Sequence, residues 1–305
     1  MHIKSSATIA LCTTLVALAA VATEKPKSTQ HANPMKGMRM VWHDEFNSDK
    51  LDTTAWNIED NGNGNGNHEL QYYSARGISL GREPESGAKC LILTARRENY
   101  GEHKFTSGRV NTQGKIKICH GVVEARIKLP KTANGLWPAF WLLGDNYREC
   151  GWPRCGEIDI LEMGNQDGIK QNVQATLFNG ACHWGYYNER GEYPNHFQAH
   201  DNAYSLQDGK FHTFTLEWDE REIKMYVDRD RNKGVRPYFV MNIADKSDAL
   251  AAGNYFHHDF FIIFNLAVGG LFTSITNPDD ISAVSKKEEV KMYIDWVRVY
   301  QKKQQ

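Results

Sequence analysis

Short runs in which apolar and polar residues alternate dominate this chain, and clusters of turn-forming residues separate them. In GVVEARIKL, residues 121–129, Val123, Ala125 and Ile127 alternate with Glu124 and its charged neighbours. Side chains of a strand point alternately to its two faces, so this pattern predicts a strand with one buried face. The same reasoning predicts strands at residues 90–97, 211–219, 222–228, 260–268 and 291–300.

No long amphipathic helix, internal repeat or linker interrupts these runs between residues 39 and 301. Turn clusters such as DNGNGNGN near residue 60 and VGG near residue 269 separate them instead. Many short strands in one domain of this size predict an all-β fold of two packed sheets, a sandwich or jelly roll.

The charge balance restricts the partners of the chain. Of 305 residues, 36 are basic and 37 acidic, which gives a net charge of -1. Such a chain lacks the basic surface expected for binding nucleic acid or an anionic membrane. We expect an uncharged or weakly charged partner, and no nucleic acid.

The N-terminus predicts export. Lys4 precedes an apolar run at residues 7–22, which ends in the small-x-small sequence Ala20-Val21-Ala22. A stable transmembrane helix needs roughly 20 apolar residues, so this run is short for a membrane span. We predict a cleaved signal peptide at residues 1–22, a flexible leader at 23–38, and a secreted, periplasmic or cell-surface protein. A lipid anchor at Cys12 is less favoured, because Leu11 is large for the preceding position.

Five cysteines would remain in the exported protein. They permit a disulfide, and Cys150 and Cys155 are the closest pair. The odd number and the absence of a CxxC pair favour small buried residues with at most one bridge.

Three acids stand in an otherwise apolar stretch, GEIDILEMGN, at residues 156–165. Alternation places Glu157 and Asp159 on one face, whereas Glu162 would point to the other. A β-bulge around Ile160 and Leu161 adds one residue and returns Glu162 to the acidic face. We predict that bulge, because burying unpaired carboxylates is costly unless they serve chemistry.

Two carboxyl groups about 5–5.5 Å apart suit retaining hydrolysis of a glycoside, one as nucleophile and one as acid. Asp159 adds a third negative charge between them, which raises the proton affinity of the three carboxyl groups. The alternatives are a calcium site, which would need further oxygen ligands, and a solvent-facing strand of charges, which would not carry Ile and Leu on its back.

The acidic run resembles the E-[ILV]-D-[IVAF]-x-E signature of family 16 of the glycoside hydrolases, in its bulged, laminarinase-like form. Further segments resemble the family in the expected order: WHDEF, GNGNHELQYY, SGRVNTQGK, GLWPAFWLLG, FHTFTLEWD, NLAVGG and MYIDWVRVYQ. The resemblance implies a two-sheet antiparallel jelly-roll sandwich with a concave substrate cleft, as one catalytic domain at residues 39–303. It also implies an endo-glycosidase for β-1,3 or mixed β-1,3/1,4 glucan that needs no cofactor for catalysis.

The resemblance also assigns roles. Glu157 is the nucleophile, Asp159 tunes its ionisation and Glu162 is the acid/base. Substrate contacts are implied for two aromatic and three polar residues on the donor side: Trp137, Trp141, Asn67, Glu69 and Arg109. Purely structural roles for the tryptophans, a turn role for Asn67 and a surface position for Arg109 remain alternatives.

One departure concerns the acceptor side. The laminarinase pattern usually has a histidine where this chain has Phe178 in ATLFNGACHWG. Either His183 or another group replaces its hydrogen bond, or the acceptor side is rebuilt. In the second case Trp184 stacks on the leaving sugar; simple packing is the alternative.

Two metal hypotheses follow from other residues. Asp295 resembles the C-terminal aspartate that holds a structural calcium in the family, with Glu45 nearby; a plain structural acid is the alternative. His196 and His200 are four apart, but no HExxH is present and residues 194–201 read as a loop, so we expect no zinc there.

Two other functions compete. A non-catalytic β-glucan-binding module of the same fold would typically lack one of the three acids, and all three are present. A galactan hydrolase of the agar or carrageenan type would share the acids, but a charged substrate would require more cationic contacts than Arg109. We expect an enzyme that acts as a monomer.

Overall fold

A computed structural model describes residues 37–232, 234–286 and 288–302. The strands are β1 Met38–Asp44, β2 Asn57–Ile58, β3 Gln71–Tyr73, β4 Ile78–Arg82, β5 Lys89–Arg96, β6 Phe105–Ser107, β7 Arg109–Asn111, β8 Gly121–Lys128, β9 Leu136–Gly144, β10 Glu157–Met163, β11 Leu177–His183, β12 Asn195–Asp201, β13 His212–Trp218, β14 Glu222–Val227, β15 Phe239–Asn242, β16 Phe260–Val268 and β17 Glu289–Lys302. The helices are α1 Tyr147–Cys150 and α2 Gln166–Gln171, with 3₁₀ turns at Gly64–Gly66, Ala75–Gly77, Ala252–Asn254 and Pro278–Asp280.

The strands form two sheets. The ten-stranded sheet has the order β15-β14-β13-β8-β17-β5-β6-β3, with β1 paired to β17 and β4 paired to β5. The seven-stranded sheet has the order β12-β11-β10-β9-β16-β7-β2. Every described strand pair is antiparallel except β3 with β6. The prediction of an all-β, two-sheet sandwich is confirmed.

The core lies between the two sheets, where alternation predicted it. Val123, Ala125 and Ile127 of β8 are buried on the inner face of the ten-stranded sheet. From the other sheet, Phe140 of β9 stacks on Phe264 of β16 with ring centroids 4.7 Å apart. Each large apolar side chain that is fully buried contributes about 1.5–3 kcal/mol. The sheets are therefore held together by apolar packing.

Some sequence-based predictions fare differently. The predicted signal peptide and all but the last two residues of the predicted leader lie outside the described residues. Within the described residues no helix has the length and apolar character needed to cross a membrane. The five described cysteines are free, so a bridge between Cys150 and Cys155 is absent from this part of the chain.

Residues 194–201 were predicted as a loop, and this prediction is wrong. They contain β12, the edge strand of the seven-stranded sheet. His196 packs on Phe239 with centroids 5.0 Å apart, and His200 packs on Phe178 at 5.5 Å. His196 thus packs against the other sheet, whereas His200 packs within its own sheet.

Candidate active site

The acidic strand β10 lies near the centre of the seven-stranded sheet, between β9 and β11. Its register with β11 shifts between Asp159 and Glu162, and its register with β9 shifts between Asp159 and Leu161. One extra residue is therefore present on β10, and Ile160 has no partner in either ladder. The predicted β-bulge is confirmed. It directs Glu162 to the face of Glu157 and Asp159, and all three acids line one cleft.

The bulge leaves a backbone carbonyl without a strand partner, and a tyrosine supplies one. The hydroxyl of Tyr238, which is buried just before β15, donates a hydrogen bond to the carbonyl oxygen of Ile160. An unpaired buried carbonyl costs roughly as much as a lost hydrogen bond. Tyr238 therefore stabilises the irregular backbone that aims Glu162.

Two glycines bound the strand at positions where a side chain would not fit. Gly156 has φ +73° and Gly164 has φ +99°, both in the region that favours glycine. A Cβ on Gly164 would lie 2.0 Å from the carbonyl oxygen of Leu136 on β9. The ends of β10 are thus fixed closely against its neighbours.

The three acids are held in a setting that favours protons. Burial raises the pKa of Glu157 to about 7, although the guanidinium of Arg109 and the indole of Trp152 partly offset this effect. Burial and the charge of Glu157 raise the pKa of Glu162 to about 8. Burial and both glutamates raise the pKa of Asp159 well above its usual range. Because neighbouring carboxyl groups with raised pKa values do not all ionise near neutral pH, the group can provide a nucleophile and an acid together.

The predicted tryptophans lie beside these acids. The indole nitrogen of Trp137 donates to Oε1 of Glu162 over 3.1 Å, and its ring stacks on Phe272 at 4.5 Å. The indole nitrogen of Trp141 donates to Oδ1 of Asn265 over 2.7 Å. Both rings line the cleft, so the structure brings them together with the acids.

Arg109 is a component of the cleft and not a free surface cation. Its Nε lies 2.9 Å from Oε1 of Glu59, and its guanidinium lies 5.0 Å from the Trp141 ring centroid. Asn111 also donates to Oε1 of Glu59, over 2.9 Å. Arg109 is therefore fixed in position and its charge is largely balanced.

Glu69 and Asn67 also line the cleft. Oε2 of Glu69 accepts hydrogen bonds from Gln71 at 2.6 Å, Tyr73 at 2.9 Å and Asn65 at 3.2 Å. The backbone carbonyl of Asn67 accepts from the amide of Leu271 over 2.8 Å. Glu69 thus presents a fixed carboxylate, with its Oε1 outside these three hydrogen bonds.

The acceptor side differs from the sequence-based expectation. Phe178 points into the core, and Asn179 is the residue of β11 that pairs with Glu162. His183 pairs instead with Glu157, and its Nε2 lies 3.4 Å from Oδ2 of Asp159 and 4.0 Å from Oε1 of Glu157. Burial lowers the pKa of His183 to about 4, so its ring is neutral near pH 7. His183 therefore accompanies the proposed nucleophile and not the acid/base.

Trp184 does not reach the site. Its indole nitrogen donates to the carbonyl oxygen of Leu250 over 2.8 Å, and its ring packs edge-on against Phe256 at 5.8 Å. Among the described residues that line the cleft, His183 is present and Trp184 is absent. Neighbouring residues of an extended chain point to opposite sides, so Trp184 turns away where His183 turns in. The predicted stacking of Trp184 on a sugar is not supported by this placement.

The predicted calcium ligands are both paired with arginines. Arg298 donates from Nε to Oε1 of Glu45 over 2.8 Å and from Nη2 to Oε2 of Glu45 over 2.7 Å. Arg126 forms an ion pair with Asp295. Calcium takes six to eight oxygen ligands, and two nearby guanidinium groups would oppose its charge. The two carboxylates in this arrangement do not fit the ion, and the calcium site stays a prediction.

One metal-like constellation exists among the described residues, and it includes two of the three acids of β10. Ligand atoms of Glu157, Asp159 and His183 lie within 4.8 Å of one another. A cation bound there would occupy the proposed nucleophile.

Several cleft residues were missed from the sequence: Glu59, Trp152, Tyr187, Tyr193, Phe197 and Asn265. Trp152, in the segment just before the acidic run, offered a signal, because sugar sites favour flat aromatic rings. Whether the other residues face the cleft depends on how their segments pair with strands far away in the sequence. Their local sequence therefore does not indicate a place in the cleft.

Comparison with known proteins decides the family. The family described as "Beta-porphyranase A-D, GH16 domain" matches residues 40–302. The chain belongs to family 16 of the glycoside hydrolases. This family 16 chain is similar to a Bacteroides ovatus GH16 protein of a mixed-linkage glucan PUL, solved with a G4G4G3G product. The two share 39% identity with a TM-score of 0.74, over 85% of this chain and 100% of that one.

Curated relatives agree with this assignment. The family 16 chain is 35% identical to the glucan endo-1,3-beta-glucosidase of Cryptopygus antarcticus, over 76% of this chain and 80% of that protein. It is 33% identical to glucan endo-1,3-beta-glucosidase A1 of Niallia circulans, over 87% of this chain. The chain spans 38% of the length of that relative and 34% of the length of another. The family resemblance inferred from the sequence is confirmed.

Proposed function

We propose that this family 16 chain is a retaining endo-β-glucanase that hydrolyses internal β-1,3 or mixed β-1,3/1,4 linkages by double displacement. Glu157 attacks the anomeric carbon while Glu162 gives its proton to the leaving sugar oxygen. Glu162 then takes a proton from the water that displaces Glu157. Asp159, between them, tunes their ionisation. This chemistry needs no cofactor.

One observation carries the proposal: the buried Asp159 and the half-buried Glu157 and Glu162 converge on a cleft that crosses every strand of the seven-stranded sheet. Its lining extends from Asn57 on β2 to Phe197 on β12, with the acids on β10 between them. The cleft has a volume of about 1310 Å³, larger than the roughly 300–1,000 Å³ of a typical small-molecule site. Such a length suits a polysaccharide bound by its interior, which is the substrate of an endo-acting enzyme.

A galactan hydrolase is the second candidate, because the matching family is described by β-porphyranases. The charge of the cleft favours a neutral glucan instead. Of the two arginines among its described lining residues, Arg109 and Arg148, the first is paired with Glu59. Several acids line the same cleft, and they would repel an anionic galactan.

A product profile tests the proposal. The wild-type protein is incubated with laminarin, barley glucan, lichenan, agarose and porphyran, and released reducing ends and oligosaccharides are measured. We expect release from one or more of the three glucans, with several products of intermediate length from early times. Release from agarose or porphyran alone would overturn the proposal in favour of the galactan hydrolase.

A glucan-binding module is separated by the same assay. Tight binding of laminarin without release of reducing ends by the wild type would assign the chain to that class. The proton NMR signal of the first product distinguishes the stereochemistry: a retaining enzyme releases the β-anomer before mutarotation.

We also infer export through residues 1–22, because a short apolar run with one preceding lysine ends in a small-x-small site. Expression of the full chain in a secreting host, followed by N-terminal sequencing of the released protein, tests the cleavage after Ala22.

We expect the mature protein to be a monomer by light scattering. The calcium prediction is tested by thermal unfolding with and without EDTA, and no change in the midpoint would remove it.

A further inference from the structure

Beyond the acids, the cleft continues across β11 and β12 onto a second group of aromatic residues. Asp159 pairs with Ala181 of β11, and Ala181 pairs with Phe197 of β12. Residues directly opposite each other in antiparallel strands have side chains on the same face. These three residues therefore lie in one row on the face of the sheet that carries the cleft, and Asp159 and Phe197 line it.

Phe197 is unusually placed for a phenylalanine. It is 50% exposed on β12, the edge strand of its sheet, and its ring lines the cleft. An exposed aromatic ring on an edge strand promotes association between chains unless it has another use. Binding a flat apolar face of a ligand would be such a use.

A wall of aromatic rings stands beside this position. Trp152 and Tyr193 meet with centroids 4.7 Å apart, and Tyr193 meets Tyr187 at 5.4 Å, both edge-on. Tyr187 is 53% exposed and, like the other two rings, lines the cleft. The wall is continuous with the site of the acids, because Trp152 lies 6.2 Å from the His183 ring.

The loop that carries Tyr187 is held by its own hydrogen bonds. Oδ1 of Asn188 accepts from the amides of Arg190 and Glu192, both at 2.9 Å. The amide of Asn188 donates to the carbonyl oxygen of Glu192 over 2.8 Å. Little conformational entropy is therefore lost when a ligand contacts this loop.

We propose that Phe197, Tyr187 and Tyr193 form an acceptor-side platform, which binds the glucose units on the leaving-group side of the scissile bond. The inference rests on the proposed function, and it specifies which part of the glucan these residues hold. Trp137 and Trp141 lie on the opposite side of β10, where the family resemblance puts the donor sugars. The exposed rings suit the C–H faces of neutral sugars.

The platform has a consequence for the second half of the reaction. A sugar bound there presents a hydroxyl to the glycosyl–Glu157 ester in place of water. The hydroxyl oxygen forms the new bond to the anomeric carbon, the bond to Glu157 breaks, and the hydroxyl proton passes to the Glu162 carboxylate. The platform therefore favours transfer to a sugar over hydrolysis.

The experiment compares two substrates in Phe197→Ala and Tyr187→Ala. The first is barley glucan or laminarin, whichever the wild type cleaves; the second is an aryl β-oligoglucoside, whose sugars occupy the donor side alone. We expect kcat/KM on the polymer to fall about tenfold in each variant, as for the loss of one aromatic contact. Hydrolysis of the aryl substrate should stay within about twofold of the wild type. Transfer products formed from the aryl substrate with added glucan oligosaccharide should fall with the polymer activity.

Val240→Ala is the matched control, since Val240 is 44% exposed on the edge of the other sheet. It should leave both activities unchanged. Phe197→Leu keeps the apolar bulk without the flat ring, and it replaces the alanine variant if that variant fails to fold.

The outcomes separate the two proposals. A wild type that cleaves no glucan removes the proposed function. A wild type that cleaves glucan, with variants that keep full polymer activity and full transfer, overturns the platform alone. An equal loss on the polymer and the aryl substrate also overturns it, because the rings would then serve the donor side or the acids.

Discussion

Two buried carboxylates at strand ends of the ten-stranded sheet, Glu83 and Asp228, differ from the acids of β10 in the direction of their pKa shifts. Directly after β4, Glu83 is buried, but the Nζ of Lys128 and the backbone amide of Ser86 bond it at 2.8 and 2.7 Å, and despite its burial its pKa falls to about 2. Asp228 is likewise buried and accepts from His212 and Thr213, and these bonds outweigh burial and lower its pKa. On the seven-stranded sheet, burial raises the pKa of the acids of β10.

The pKa shifts differ in direction because the hydrogen-bond partners of the acids differ, and not because one group is buried more deeply. A paired acid is stabilised as the anion, so it holds the fold together near neutral pH. The acids of β10 have few compensating donors and lie beside one another, so their setting costs stability. Such a cost is expected where groups are kept ready for proton transfer.

The largest effect should come from removing the nucleophile. We expect Glu157→Gln to lose roughly 10³-fold or more of its activity on glucan while the fold is kept, because the covalent step is lost. Reducing-end release measures the loss, and added azide should restore turnover and yield an α-glycosyl azide. A variant with activity near that of the wild type would remove the assignment.

The second prediction is that removing the charge of Glu162 stabilises the fold, whereas removing the charge of Glu83 destabilises it. The pKa of Glu162 in the folded chain is above its ordinary value of 4.5, so its presence lowers stability progressively as pH rises from about 4.5 to about 8. Glu162→Gln should therefore raise the free energy of unfolding by roughly 4 kcal/mol at pH 8 and leave it unchanged at pH 4. Glu83→Gln should lower it by roughly 3 kcal/mol at pH 7, and the loss should vanish as pH falls toward about 2.

Urea unfolding of both variants at each pH provides the measurement. Glu102→Gln, at an exposed position, is the control and should leave stability nearly unchanged. If Glu162→Gln destabilised the chain at pH 8, Glu162 would have to be stabilised as the anion, as Glu83 is. The two groups of acids would then not differ.

A third prediction uses Arg109, the guanidinium that lowers the pKa of Glu157. Without Arg109 the pKa of Glu157 rises further, so the acid limb of the kcat/KM profile should move to higher pH. We expect Arg109→Met to lose about tenfold more activity at pH 6 than at pH 8. Arg109→Lys keeps the charge and should keep the limb near its original pH. Equal losses at every pH in both variants would mean that Arg109 acts through substrate contact alone.

The smallest effect concerns the bulge. Tyr238→Phe removes the hydrogen bond to the Ile160 carbonyl, so we expect kcat to fall about threefold with KM little changed, together with roughly 1 kcal/mol less stability. Tyr226→Phe is matched, because the hydroxyl of Tyr226 donates to Glu217 on the other sheet. It should leave kcat unchanged, and a similar fall in both variants would mean that Tyr238 has no particular role in aiming Glu162.

Local pattern was enough for much of the fold and for the catalytic group. The strand at β8 follows from the alternation of Val123, Ala125 and Ile127 with polar residues. The bulge follows from the spacing of Glu157, Asp159 and Glu162, because three acids that act on one ligand need one face. Both inferences use the two-residue period of a strand, which neighbouring residues alone set.

Contacts between distant segments were not accessible in this way. Trp184 was predicted in the cleft and packs on Phe256, whereas Trp152 was overlooked and lies in the cleft. The residues next to Trp152 and Trp184 in the sequence do not show which of the two tryptophans lies in the cleft.

By itself, the sequence determined that the chain is a two-sheet β-sandwich of family 16 with three convergent acids on one bulged strand. Only the tertiary structure decided which arginines neutralise Glu45 and Asp295, that residues 195–201 form an edge strand, and which aromatic rings extend the cleft. The physical reason is that periodicity is a local property of the backbone. Pairing, by contrast, depends on the register of strands that lie far apart in the chain.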